Sequence, residues 1–276
     1  MKILIVDGNE KSASDRYTEI GIQTQYEVYK AVLENLSDIN LEIITIHPAH
    51  VNSFLPIGLK LDDFQGIVWT GSVLNIYEKK DSINRQIELA KSLLTKKNKI
   101  FGSCWGLQIL ATAAGGKVRK NPKGLEAIIS NNIKLNKEGI LHPMYKNKPP
   151  VFNAFCWHYD EIEILPDQTK ILSSNSKSSV QSFSFSRNNS EVWAVQYHPE
   201  FNPKWMSGLM LQRKQLLLDE EIFSSEEDYE KLYNYLSDIK KFNFLKDELS
   251  ISDTLIESKI HTIELFNWLN YLKNNI

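Results

Sequence analysis

The chain is poor in the features that would place it in a special class of protein. Two cysteines in 276 residues, Cys104 and Cys156, give no disulfide framework and suit a reducing compartment. Neither belongs to a C-x-x-C pair, which argues against a structural zinc site. No apolar run approaches the roughly 18 residues that mark a membrane span. The N-terminal apolar run Ile3–Val6 is short and meets Asp7 at once, unlike a secretory leader. Charge of one sign is also missing: 32 basic and 34 acidic side chains leave a formal net charge of -2. That balance gives no electrostatic reason to expect nucleic acid or an anionic membrane as partner. Lys96, Lys97 and Lys99 form only a short solvated cluster at a helix end. No internal repeat or low-complexity tract is present. The expectation is a cytoplasmic globular protein without metal or cofactor; His47, His50 and His142 lie beside Pro or in polar loops and suggest no metal set.

What is present is an alternation of strand and helix signals. Lys2–Val6 reads as a buried parallel strand ending in the loop Asp7-Gly8-Asn9, a usual position for a site-lining loop and for a plain turn. Residues 23–36 carry Tyr26, Val28, Tyr29, Val32 and Leu33 at helical spacing. Leu41–Ile46 and Gly66–Thr70 are the next strands. Ser82–Leu94 is an amphipathic helix for which Asp81 or Ser82 serves as cap. Lys99–Ser103 is a fourth strand that runs into Cys104 and a helix over Leu107–Ala114, ended by Gly115-Gly116. Shorter strand candidates follow at Ile128-Ile129, Ile162–Ile164, Lys170–Leu172 and Ser190–Gln196. From residue 203 strand signals stop. Three helical patterns remain, over Pro203–Leu218, Ser225–Lys240 and Ile256–Lys273. Pro203 sits at a permitted first-turn position, and Ser225 with Asp228 resembles a capping box. The pattern predicts an α/β fold, a parallel or mixed sheet flanked by helices. It comprises a domain over residues 1–202 and a helical C-terminal extension over 203–276 packed on it.

The segment Gly102-Ser103-Cys104-Trp105-Gly106-Leu107-Gln108 lies between a strand and a helix. Small neighbours permit a tight turn that exposes the thiol. The following helix N-terminus favours thiolate and is expected to lower the thiol pKa. Backbone N–H groups there can donate to an oxyanion. The second segment is Gln196-Tyr197-His198-Pro199-Glu200, directly after a predicted strand. A histidine paired with a carboxylate two residues on keeps one tautomer and one orientation, as a general base requires. Cys156 has no evident partner base and reads as a packed residue. The aromatics Trp205, Tyr229, Tyr233, Tyr235, Trp268 and Tyr271 read as packing for the C-terminal helices.

Taken together, the two segments resemble the class I, triad-type glutamine amidotransferases, in the branch similar to the GMP synthase glutaminase. The resemblance spans about residues 1–202 and implies their flavodoxin-like fold. It implies that Cys104 attacks a γ-carboxamide carbonyl, that His198 moves the protons, and that Glu200 orients His198. Gly71 and Ser72 fall where the family has its oxyanion loop, although Ser72-Val73 replaces the usual Gly-Pro; the N–H of Trp105 would be the second donor. Gln108 matches a substrate-binding position. Trp157-His158-Tyr159-Asp160 resembles the family's Ser-His-Gly-Asp, which makes His158 a candidate pocket residue.

The implied reaction is hydrolysis of glutamine or of a γ-glutamyl amide, a small-molecule substrate, through a γ-glutamyl thioester, releasing glutamate and ammonia or an amine. A second reading makes the chain a glutaminase subunit that feeds ammonia to a separate synthetase. A third makes it a catalytically silent binding or regulatory protein on the same fold. No phosphate-binding loop of the synthetase type follows the triad, so the chain by itself is not expected to make GMP.

Overall fold

A computed structural model describes residues 1–51, 55–243, 245–249 and 251–275. The strands are β1 (Lys2–Val6), β2 (Glu42–Ile46), β3 (Gly66–Trp69), β4 (Lys99–Ser103), β5 (Lys117–Lys120), β6 (Glu126–Leu135), β7 (Val151–His158), β8 (Asp160–Ile164), β9 (Lys170–Ser174), β10 (Ser182–Arg187) and β11 (Ser190–Val195). Helices α1 (Lys11–Glu19), α2 (Gln25–Leu36), α3 (Asp81–Leu94), α4 (Trp105–Ala113) and α5 (Lys137–Leu141) interleave with them. The C-terminal part holds α6 (Pro203–Gln212), α7 (Lys214–Asp219), α8 (Glu226–Ser237), α9 (Ile239–Phe242), α10 (Leu245–Glu248), α11 (Asp253–Ile256), α12 (Ser258–His261) and α13 (Ile263–Lys273).

Nine strands form one mixed sheet in the order β2-β1-β3-β4-β11-β10-β9-β6-β7. The run from β2 to β11 is parallel, and β10, β9, β6 and β7 add antiparallel pairings. β5 and β8 make a separate antiparallel pair. Side chains alternate across β1: Leu4 and Val6 join the cluster under α3 and α4, while Ile3 and Ile5 join the cluster under α2 and α13. That two-sided burial is why the strand reads as a continuous apolar run. A third cluster joins α6 and α8 to Ile128 and Phe155 of the antiparallel strands.

The C-terminal helices do more than cover the sheet. Trp268 and Leu272 of α13 pack beneath β3, so closely that a Cβ on Gly66 would lie 2.4 Å from Leu272 Cδ1. Between the same helix and the strand end before His198 runs a buried polar network. The Lys148 ammonium and Glu264 carboxylate pair at 3.0 Å with both side chains fully buried. Glu264 Oε1 accepts from the Tyr197 hydroxyl at 2.8 Å, and Tyr197 shares a hydrogen bond with Tyr145 at 2.8 Å.

Several sequence expectations are corrected. Helix α3 starts one residue earlier, after Lys80, with no side-chain cap; Ser82 donates instead to Glu10 at 2.6 Å. Helix α1 was not expected, because only Ala13, Ser14 and Tyr17 of its nine residues are buried and no apolar stripe results. Strands β5, β7 and β10 were also missed. The single helix expected over Pro203–Leu218 breaks at Arg213, whose backbone leaves helical geometry at φ -117°, ψ 22°. The last pattern, Ile256–Lys273, divides into α12 and α13 at Thr262, and Ile256 instead ends the short α11, with extended backbone following at Glu257. Ser225 does cap α8, accepting from the Asp228 N–H at 3.1 Å, and Asn202 caps α6 ahead of Pro203. Among the described residues no helix is long and apolar enough to cross a membrane.

Candidate active site

The C-terminal ends of β1, β3, β4 and β11 lie side by side, and the loops leaving them carry the candidate residues. This is the edge at which parallel α/β sheets place their ligands. Cys104 occupies the turn from β4 into α4 with φ 50°, ψ -101°, a conformation that side-chain-bearing residues rarely adopt. Its N–H donates to Val195 O at 2.8 Å, tying the turn to β11. The neighbouring glycine is sterically required: a Cβ on Gly106 would stand 2.6 Å from Trp69 O. The Cys104 sulfur lies 3.6 Å from the Trp157 carbonyl, with the thiol as donor.

His198 follows β11, and its Nδ1 donates to Glu200 Oε1 at 2.6 Å. The imidazole is fixed on its face as well, stacked on Phe201 at 3.9 Å and 7°, with Trp205 stacked behind at 3.8 Å. Glu200 is itself held: Ser103 Oγ donates to Oε1 at 3.2 Å, and the buried Tyr29 hydroxyl donates to Ser103 at 2.5 Å. The result is a hydrogen-bonded line Tyr29–Ser103–Glu200–His198 beneath the turn that bears Cys104.

Burial, then the charge of Glu200, pushes the Cys104 thiol up to about 12, although the Trp105 N–H works in the other direction. This corrects the expectation of a lowered thiol pKa. The helix N-terminus does favour the thiolate, but desolvation beside a carboxylate outweighs it. Attack by the sulfur therefore calls for a base that takes the thiol proton.

Gly71 and Ser72 stand opposite. A Cβ on Gly71 would lie 2.7 Å from His198 Cε1 and 2.7 Å from Gln25 Oε1, so only glycine permits the loop this close to the imidazole. The loop is anchored by Asn9, whose Oδ1 accepts from the Val73 N–H at 3.1 Å, and Ser72 Oγ accepts from the Leu74 N–H at 3.2 Å. Cys104, Ser72, Gln108, His158, Asp160 and His198 line one cavity. Both ring nitrogens of His158 are engaged, Nδ1 to Asp160 O and Nε2 to Glu126 Oε2, each at 2.9 Å. His158 thus braces the wall rather than offering a free nitrogen. Burial pushes the Asp160 carboxyl up to about 6 against a hydrogen bond from Tyr77. Cys156 is fully buried in β7, and burial raises its thiol well above the ordinary value.

The fold also gathers a set that the sequence did not suggest. Asp7, His47 and His50 bring donor atoms within 4.8 Å of one another, a grouping able to hold a divalent cation. The reason is topological: β1 and β2 are parallel neighbours, so the loops at their C-terminal ends meet. As arranged, His47 Nδ1 donates to Asp7 Oδ2 at 2.9 Å, and the His50 ring stacks on His47 at 4.9 Å.

Gln25, Tyr29, Ser103 and Asn9 escaped the sequence reading. Ser103 stood inside the cysteine motif and Asn9 in the noted strand-end loop, so both were in view without a role. Gln25 and Tyr29 share one face of α2, where a buried polar pair on an apolar stripe is the available signal.

Comparison with known proteins bears on family and fold. The sequence model of the class-I glutamine amidotransferase family matches residues 20–216. A γ-glutamyl-L-1-hydroxyisopropylamide hydrolase of Pseudomonas is 27% identical over 99% of this chain and 93% of its own. A glutamine-hydrolysing GMP synthase of Petrotoga mobilis is 28% identical over 51% of this chain and 26% of its own. A glutamine amidotransferase structure from Thermotoga maritima superposes with a TM-score of 0.66 at 16% identity, covering 99% of this chain and 97% of that one, a likeness of fold.

Proposed function

We propose that this chain, which belongs to the class-I glutamine amidotransferase family, hydrolyses a γ-glutamyl amide through a thioester on Cys104. The observation that carries the proposal is one cavity lined by a thiol on a strained strand-to-helix turn and by an imidazole bonded to a buried carboxylate.

Each group has a step. With Nδ1–H donating to Glu200, the His198 Nε2 lone pair is free to take the Cys104 proton as sulfur attacks the γ-carbonyl carbon. Negative charge then develops on the carbonyl oxygen, and the N–H groups of Trp105 and the Gly71-Ser72 loop are the nearby donors for it. Collapse breaks the C–N bond, and the His198 imidazolium passes its proton to the departing amine. Water, deprotonated by His198, next attacks the thioester; glutamate leaves and the thiol is restored. Asp160, the carboxylate of the cavity wall, suits the substrate α-ammonium. Gln108, on the first turns of α4, lines the same cavity, which supports a role in holding the glutamyl chain.

Two features favour a free-standing hydrolase over a glutaminase subunit that serves a separate synthetase. The relative similar over nearly the whole chain is named a γ-glutamyl amide hydrolase, whereas the GMP synthase match spans half of it. The C-terminal helix α13 also completes this chain's own core rather than presenting an open apolar face. The test is glutamate release by the purified protein from a panel of γ-glutamyl amides and glutamine. Wild type is expected to turn over, and Cys104→Ala to lose at least about a thousandfold in kcat. Full activity in that variant refutes the nucleophile. Inactivity of the wild type across the panel favours the silent binding protein.

A further inference from the structure

The cavity continues past His198 into a part that the triad chemistry does not use. Its wall there is Tyr17, Gln25, Trp157, Phe201, Leu209 and Arg213. The direction is chemically meaningful, because the imidazole must reach the nitrogen of the departing amine. Phe201 stacks on that imidazole, and Gln25 Oε1 and His198 Cε1 would both lie 2.7 Å from a Gly71 Cβ, so these residues flank the amine side of the scissile bond.

Among the described residues, three polar groups of this wall lack a hydrogen-bond or ion-pair partner. The break between α6 and α7 falls at Arg213, whose guanidinium carbon sits 5.2 Å from the centre of the Trp157 ring. Among the described residues Arg213 forms no ion pair with a carboxylate, although Asp and Glu are plentiful in the chain. Gln25 is 5% exposed, and its Oε1 is buried with no donor. Trp157 Nε1 is buried with no acceptor. Burial raises the Tyr17 hydroxyl, and the charge of Arg213 is the chief opposing influence, which sets the guanidinium beside α1. A half-buried guanidinium on a cavity wall without an anion is costly to retain unless an anion arrives. Its planar fork suits a carboxylate.

We infer that Arg213 receives a carboxylate carried by the leaving amine, which makes the preferred substrates γ-glutamyl amides of amino acids rather than glutamine or neutral alkylamides. This rests on the hydrolytic reading above. Gln25 Oε1 accepts from the scissile amide N–H, and Trp157 Nε1 is a further donor near the carboxylate. Water adds across the C–N bond, so the products are glutamate and a free amino acid with no other reactant.

The test compares γ-glutamylalanine with γ-glutamylalaninamide, which differ only in the leaving-group carboxylate. Wild type is expected to favour the acid by about 10- to 100-fold in kcat/KM, the value of one charge-assisted contact. Arg213→Met should bring that ratio close to one, while Arg213→Lys keeps part of it; the Lys variant carries the test if the Met variant does not fold. Equal turnover of both substrates by wild type overturns this inference alone. So does a Met variant that loses both substrates equally, which would assign Arg213 to the glutamyl half or to the fold. Wild type that cleaves neither of them nor glutamine overturns the hydrolytic reading with it.

Discussion

Replacing Lys148 by Met tests how the C-terminal helices are held to the sheet beside the candidate base. The ammonium of Lys148 is fully buried, donates to Ile260 O at 2.9 Å and pairs with Glu264 at 3.0 Å. Its charge also lies 4.5 Å over the Phe152 ring. Removing it strands the Glu264 carboxylate in a dry site, where the Tyr197 hydroxyl remains its one donor from a side chain among the described residues. Loss of one partner of a buried ion pair costs about 3–5 kcal/mol. Unfolding entropy near 2.1 cal/mol/K per residue amounts to about 0.6 kcal/mol/K for a chain of this length, so Tm should fall by about 5–9 °C. The double variant Lys148→Met, Glu264→Met removes both charges and should recover most of that loss, because a buried pair exchanged for apolar groups is often close to neutral. Differential scanning calorimetry on the four proteins reads both quantities. A single variant within about 1 kcal/mol of wild type, or a double variant no better than the single, refutes the reasoning.

Three further outcomes follow from the site. Ser103→Ala removes the donor that holds Glu200 and the acceptor of Tyr29; steady-state kinetics should show kcat lower by about 5- to 30-fold with KM little changed, the equivalent of one hydrogen bond in the transition state. A loss confined to KM would refute a role through Glu200. Since the Asp160 carboxyl stands at about 6, KM for a γ-glutamyl amide should rise by about tenfold per pH unit well below that value, and Asp160→Asn should abolish the dependence; an unchanged profile in the variant removes Asp160 from ammonium recognition. Burial, then the Lys148 charge, lowers His261 to about 3, and its Nε2 donates to Phe201 O at 2.6 Å. The unfolded chain therefore binds a proton that the folded one does not between about pH 6.5 and 3. Stability is whole above 6.5 and falls by about 1.4 kcal/mol per pH unit below it from this group, and chemical denaturation of His261→Gln should show a shallower acid slope.

The cysteine turn, the histidine–glutamate pair and the strand–helix alternation were legible in the sequence because local rules govern them. A buried parallel strand must be apolar along its length, a nucleophile turn must have small neighbours, and an orienting carboxylate two residues from its histidine needs no long-range information. What depended on the approach of distant segments was not legible. The thiol pKa came out opposite to expectation because burial beside Glu200 is a property of the closed site and not of the helix that follows Cys104. Ser103 and Tyr29 acquire roles only when α2 packs beneath β4, and His158 is spent on Glu126 only when β6 pairs with β7. The Asp7–His47–His50 set requires β1 and β2 to be parallel neighbours. Arg213 is one surface-like cation among many in the sequence; the break between α6 and α7 brings it over Trp157 in the cavity that also holds Cys104. The sequence by itself determined the candidate reactive groups and the class of fold, since residue type and local spacing specify both. The tertiary structure alone decided the upward push on the thiol pKa, the bracing of its neighbours and the charge at the far wall, because each is set by desolvation and by contacts between segments remote in the chain.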